Sequence, residues 1–210
     1  GSDIKESETI ERLRGIGVVI NIGHDAGVVH HCDAVTASTA IPAKNVELTE
    51  ALNIGVPVLT RAQMLAAICR QKLSVGVAGT HGKTTTSSML MAVMREAQLH
   101  PSFIIGGDVR GIGSGASWGS GKYLVVEADE SDGSFLCFKP HYSVITNIDF
   151  EHVDYYPDWQ SILDVYKAFI ANTVEGGYIF AYGADERLTG LLEQSGRAYK
   201  TYGFTDQSDI

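Results

Sequence analysis

The chain has 210 residues, 44% apolar and 20% charged, which excludes a disordered or fibrous polymer and leaves room for one or two packed domains. Its 25 acidic residues outweigh 16 basic ones for a formal charge of -9, so electrostatics gives no reason to expect a nucleic-acid partner. No run approaches the ~18 apolar residues of a membrane span, and no basic segment leads into a signal-like stretch. Cys32, Cys69 and Cys137 lack metal or redox spacing, which predicts buried thiols in a soluble cytoplasmic protein.

The elements alternate from the start. Gly1-Ser2-Asp3 suits the end of a strand that turns into a helix over Glu6 to Leu13. Val18 to Ile22, Ala34 to Ala37 and Val56 to Leu59 read as strands, and Asn45 to Leu52 as a helix between the last two. His30 and His31 fall in a loop, and with His24 they lack the partners and spacing of a zinc site. A helix over Arg61 to Gln71, with Met64, Leu65 and Ile68 on one face, leads into the strand Ser74 to Ala78. We place a domain boundary in that connection, giving units 1–72 and 73–210. Beyond it come a helix from Thr84 to about Gln98, strands at Ser102 to Ile105, Tyr123 to Val126 and His141 to Asn147, and a helix over Trp159 to Asn172. Tyr178 to Tyr182, Glu186 to Gln194 and Ala198 to Tyr202 complete the order as strand, helix and strand. Such alternation predicts α/β architecture with parallel strands. Gly106 to Gly121 is too glycine-rich for a regular element and reads equally as a loop over a ligand or a solvent-facing connection.

The chemistry concentrates at three strand ends. After Ser74 to Ala78 comes Gly79-Thr80-His81-Gly82-Lys83-Thr84-Thr85-Thr86, a glycine loop opening a helix. Backbone N–H groups there can surround phosphate oxygens, Lys83 can neutralise β/γ charge, and the Thr84 hydroxyl can reach Mg²⁺. Glycines at a strand end also make plain turns, but Gly-Lys-Thr opening an amphipathic helix favours nucleotide binding. The strand Tyr123 to Val126 runs into Glu127-Ala128-Asp129-Glu130-Ser131-Asp132, and a carboxylate there can hold the same Mg²⁺. The strand before Thr146 ends in Asn147, Asp149, Glu151, His152 and Asp154, where His152 can take a second divalent ion or a phosphate. Trp118 and Trp159 read as packing residues.

Together these segments resemble the ATP-dependent Mur ligases of bacterial cell-wall synthesis. The resemblance is carried by Gly1-Ser2-Asp3 with Glu6-Ser7, Ile22-Gly23-His24, Ser38-Thr39-Ala40-Ile41-Pro42, the phosphate loop, Glu127 to Phe135, and Thr146-Asn147-Ile148. It implies a Rossmann-like UDP-sugar-binding domain followed by a P-loop NTPase-like central domain, both incomplete here, so that these residues alone hold half an active site. It further implies that Gly79, Thr80, His81, Gly82, Lys83, Thr84, Thr85 and Asn147 surround ATP, that Thr84, Glu127 and His152 serve Mg²⁺, and that Ser2, Asp3, Ser38 and Thr39 approach the uridine diphosphate. The branch of the family that matches best, through Ser38 to Pro42, joins L-alanine to UDP-N-acetylmuramate through an acyl phosphate. A salvage ligase attaching murein peptide to the same sugar nucleotide, and a non-ligase P-loop ATPase or switch, are the competing readings. Two departures stand out: Glu151 replaces the usual aspartate before His152, and Ser38-Thr39 replaces Ser-Ser.

Overall fold

The computed structural model describes residues 1–109, 114–130, 134–151, 155–204, 206 and 208–210. By packing, the chain divides into Gly1–Met64 and Leu65–Ile210. The sequence-based division at 72/73 differs from this by the last part of one helix, because Leu65, Ile68 and Cys69 pack into the core of the second unit.

In the first unit, strands β1 (Ser2–Asp3) and β2 (Asn21–Ile22) pair in parallel around helix α1 (Glu8–Gly15). Ser7 caps α1 by accepting the Ile10 N–H at 3.3 Å. The strand expected over Val18 to Ile22 shortens to Asn21–Ile22: β1 offers only Ser2 and Asp3 as partners, and Val19 stays 78% exposed. Strand β3 (Val35–Ala37) pairs in parallel with β4 (Val58–Thr60) around helix α2 (Val46–Asn53), capped by Asn45. His30 and His31 lie in a 3₁₀ helix, Ala26–His31, rather than a loop, since Asp25 caps it by accepting the Gly27 N–H at 2.9 Å. Helix α3 (Arg61–Cys69) leads into the second unit.

The second unit is a doubly covered sheet. Its strands are β5 (Leu73–Ala78), β6 (Ser102–Val109), β7 (Ser114–Ser117), β8 (Tyr123–Glu127), β9 (Tyr142–Ile145), β10 (Tyr178–Tyr182) and β11 (Tyr199–Tyr202). They run in the order β11-β10-β9-β5-β8-β6-β7, all parallel except β7, which is antiparallel to β6. Alternation along the strands sorts the core onto two faces. Val75, Val77, Val125 and Phe103 meet Met91 and Met94 of helix α4 (Lys83–Glu96). Ala78, Leu124, Val126 and Ile145 meet Tyr166, Phe169 and Ile170 of helix α5 (Trp159–Asn172) and Leu188 and Leu192 of helix α6 (Glu186–Ser195). A capping box between Asp158 and Ser161 starts α5.

The glycine-rich stretch corrects the sequence reading. β6 continues through Gly106 and Gly107 to Val109, and β7 returns beside it with Ile104 opposite Ala116 and Val109 opposite Ser114. A Cβ at Gly115 would lie 2.7 Å from the Ile105 carbonyl oxygen, so the missing side chain is what lets these strands approach. Residues 110–113 lie outside the described residues. Among the described residues no helix is long and apolar enough to cross a membrane.

The cysteine expectation also needs correction. Cys69 is buried, but Cys32 and Cys137 are exposed. Burial pushes the Cys69 thiol up to about 12. At pH 8 a thiol reagent is therefore expected to label Cys32 and Cys137 in the native protein and Cys69 only after unfolding; equal labelling rates at all three, read by mass spectrometry, would contradict this packing.

Candidate active site

The centre of the sheet places β8, β5 and β9 side by side, so the three chemistry-bearing strand ends open at one edge. Glu127 pairs in register with Val77, and Ile145 with Ala78. Carboxyl ends of parallel strands at a reversal of strand order are where α/β sheets receive ligands.

The phosphate loop takes its shape from Gly79 and Gly82, with φ of +133° and +84°. Gly82 begins α4 without a side-chain cap, leaving the first N–H groups of the helix, from Lys83 onward, to an outside acceptor. The loop is braced from β9. The Asn147 side chain accepts from the His81 N–H at 2.9 Å and donates to the His81 carbonyl at 3.0 Å, while the Thr146 hydroxyl donates to that carbonyl at 2.6 Å. Thr80 is nearly buried, and its hydroxyl accepts from the Asp149 N–H at 2.8 Å. Asn147 and Thr80 thus hold the loop's form, while His81, Thr84 and Thr85 are exposed on it. The His81 ring stands 3.7 Å from the Asp149 carboxylate and 3.6 Å from that of Glu151.

Lys83 is tied down tightly. Its ammonium donates to the Gly79 carbonyl at 2.9 Å and to both Glu130 carboxylate oxygens at 2.9 Å each, with Asp129 at 3.9 Å. The Glu130 side chain is 4% exposed and that of Lys83 16%. Beneath them lies the Tyr166 phenol, whose pKa burial pushes well above the ordinary range, with the Glu130 charge adding to the rise and the Thr80 hydroxyl opposing it. Sequence reading missed Glu130 as Lys83's partner, since it is one acid among several and 47 residues away in the chain.

Glu127 presents a carboxylate oxygen suited to a cation. Its Oε1 is buried and has no hydrogen-bond partner among the described residues, an arrangement that costs several kcal/mol unless a positive charge completes it. The other oxygen, Oε2, lies where a Cβ on Gly106 would stand 2.8 Å away, and a Cβ on neighbouring Gly107 would lie 3.8 Å from the Thr84 methyl. Glu127 thus stands against Gly106 and Thr84 against Gly107, successive residues of β6. A hard divalent cation that prefers oxygen ligands fits the unpartnered Glu127 oxygen. Among the described residues no three His, Cys, Asp or Glu side chains gather into a metal cluster, and His152 lies outside the described residues.

In the first unit, Ser2 donates to Glu47 at 2.7 Å, and His24 Nδ1 stands 3.3 Å from the Ser2 hydroxyl and 3.7 Å from Glu47. Asp3 folds back to accept the Ile4 N–H at 2.6 Å. Ser38 and Thr39 are exposed just after β3, and Ser38 accepts the Ala40 N–H at 3.3 Å. Among the described residues no hydrogen bond joins Ser2 or Asp3 to Ser38 or Thr39. Glu47 was missed because, behind its Asn45 cap, it reads as an ordinary first-turn acid.

The tryptophans pack as expected: Lys72 covers Trp118 at 4.4 Å, and Trp159 stacks on Phe150 at 5.5 Å.

Comparison with known proteins bears on both units. Residues 1–73 match the family model described as Mur ligase family, catalytic domain, and residues 77–210 match Mur ligase middle domain. A UDP-N-acetylmuramate--L-alanine ligase of Trichlorobacter lovleyi is 43% identical over the whole chain, and one of Sorangium cellulosum 46%; the chain covers 46% and 45% of their lengths. The chain thus spans about half the length of the curated relatives it matches. Among solved structures, the UDP-N-acetylmuramate-alanine ligase of Thermotoga maritima superposes with a TM-score of 0.76 at 28% identity, covering 98% of this chain and 46% of that one. A UDP-N-acetylmuramate:L-alanyl-gamma-D-glutamyl-meso-diaminopimelate ligase from Neisseria meningitides gives 0.81 at 27%, covering 97% of this chain and 69% of that one. With a glycine loop braced from a neighbouring strand, a buried carboxylate facing it, and family models matching residues 1–73 and 77–210, this chain belongs to the Mur ligase family.

Proposed function

We propose that these residues form the UDP-sugar-binding and ATP-binding parts of a cytoplasmic enzyme of peptidoglycan synthesis that joins L-alanine to the carboxylate of UDP-N-acetylmuramate through an acyl phosphate. The observation that carries the chemistry is the orphaned Glu127 oxygen beside the braced Gly79 to Thr84 loop. Identity of 43–46% over the full chain to enzymes named UDP-N-acetylmuramate--L-alanine ligase supports the choice of substrates.

In this reading the sugar carboxylate attacks the γ-phosphorus of ATP, forming the acyl phosphate as the bond to the β,γ-bridging oxygen breaks and ADP leaves, so two anions must meet. Lys83 and the N–H groups at the start of α4 hold the phosphates and spread the charge that develops on them. Gly79, Thr80, His81, Gly82, Thr85 and Asn147 keep the loop in the form that aims those donors. Thr84 and Glu127 would hold Mg²⁺, and the family resemblance gives His152 to a second ion. Mg²⁺ bound there supplies screening between carboxylate and phosphate. The alanine amine then attacks the acyl phosphate and inorganic phosphate leaves. Ser2, Asp3, Ser38 and Thr39 take the uridine diphosphate end.

The test is to trap the intermediate. With ATP, Mg²⁺ and UDP-N-acetylmuramate but no amino acid, hydroxylamine should convert the activated sugar to a hydroxamate. Glu127→Gln should raise the Mg²⁺ concentration needed for half-maximal trapping by about tenfold or more. No hydroxamate with the unaltered enzyme, or an unshifted Mg²⁺ titration in the variant, would contradict the reading.

A further inference from the structure

We propose that Glu130 is a counter-ion latch on the phosphate loop: it occupies Lys83 when no nucleotide is bound, and phosphate enters by taking Glu130's place on the same ammonium. The inference rests on the nucleotide reading of the loop and goes beyond it, because it concerns a residue with no part in holding phosphate or metal.

A lysine ammonium has three N–H donors. Here the Glu130 carboxylate, its two oxygens at 2.9 Å sharing one N–H, the Gly79 carbonyl at 2.9 Å and, more weakly, the Thr80 carbonyl at 3.4 Å engage the three, and both carbonyls belong to the loop. A phosphate oxygen can be served by Lys83 only if one of these bonds is surrendered. The Gly79 bond lies within the loop itself, so a Glu130 oxygen is the exchangeable partner. Glu130 is also held from behind: the Tyr156 hydroxyl donates to its backbone carbonyl, and the Ala128 N–H bonds the Val77 carbonyl at 2.9 Å, fixing the strand end next to the loop. Its carboxylate can thus retreat from Lys83 without the backbone leaving. At 4% side-chain exposure, it cannot be replaced by bulk water in the nucleotide-free state. The pair therefore keeps a buried lysine compensated and the loop assembled, and lowers nucleotide affinity by the worth of the bond that must break.

The experiment measures ADP binding with Mg²⁺ by calorimetry on the complete polypeptide carrying these residues. Glu130→Gln should tighten ADP about tenfold and enlarge the thermal shift that ADP produces. Glu130→Asp, which withdraws the charge by one methylene, should tighten it less, about threefold, and serves if the glutamine variant fails to fold. In a Lys83→Met background the gain from Glu130→Gln should shrink below about twofold. Unchanged or weaker ADP binding in the Glu130 variants would overturn the latch, and so would an undiminished gain in the Lys83→Met background, which would show simple through-space repulsion. Absence of ADP binding by the unaltered protein would instead overturn the phosphate site, and the latch with it.

Discussion

Lys83→Ala is expected to lower ATP-dependent acyl-phosphate formation by about 10³-fold, since under the proposed function it removes the loop's own cation from the phosphates. The same change strands Glu130, 4% exposed, without its cation. Breaking a buried pair from one side costs about 3–5 kcal/mol, which for a protein of this size lowers the melting temperature by on the order of 10 °C. Two effects of one mutation can be separated. Lys83→Ala with Glu130→Gln removes both charges, so it should recover most of the stability while leaving activity as low as in the single variant. Denaturant unfolding and ADP formation, measured on the same three proteins, check this; normal turnover in Lys83→Ala would remove Lys83 from the mechanism.

The second large effect is expected at Gly79. Its φ of +133° is closed to residues with a side chain, and an added Cβ would fall 2.0 Å from the Thr146 hydroxyl oxygen and 3.1 Å from the Thr146 backbone nitrogen. Backbone strain alone is worth about 1–3 kcal/mol, and overpacking adds about as much again. Relief cannot come from Thr146, because its hydroxyl holds the His81 carbonyl and its N–H holds that of Ala78. Gly79→Ala should therefore lower the melting temperature by about 6–12 °C and abolish measurable ADP binding. A variant that melts within about 2 °C of the parent and binds ADP normally would show that the loop does not need this conformation.

Much of this site was legible in the sequence because its chemistry is local. The strand, glycine turn and helix from Ser74 onward are encoded within a few residues, and Asp158 with Ser161 marks the start of α5 just as directly. The gathering of strand ends also followed from the sequence, since Glu127 and Asn147 each stand at the close of an apolar run. What the sequence did not disclose depends on contacts across the fold. Nothing in the order of residues distinguishes Glu130, which buries its carboxylate against Lys83, from Asp129, which stays 57% exposed. The brace from Thr146 and Asn147 to His81 spans 65 and 66 residues. β7 was hidden because its strand is built from glycine, serine and alanine, which carry no apolar alternation, and its pairing depends on close backbone approach to β6. The exposure of Cys32, just past the 3₁₀ helix Ala26–His31, and of Cys137, at the end of the 3₁₀ helix Ser134–Cys137, likewise reflects where those segments lie, not residue type. The approach of Glu151 to the ring of His81, at 3.6 Å, likewise joins residues far apart in the chain.

Under the proposed function this chain is part of an enzyme that couples ATP to joining an amino acid to a sugar-nucleotide carboxylate. The most direct test is ADP release from the complete protein with ATP and Mg²⁺, with and without UDP-N-acetylmuramate, and with L-alanine or a murein peptide as acceptor. Release that requires both UDP-N-acetylmuramate and L-alanine is the predicted result. Release indifferent to both would contradict the ligase reading in favour of a plain ATPase, and release that requires the peptide in place of L-alanine would contradict the assigned acceptor.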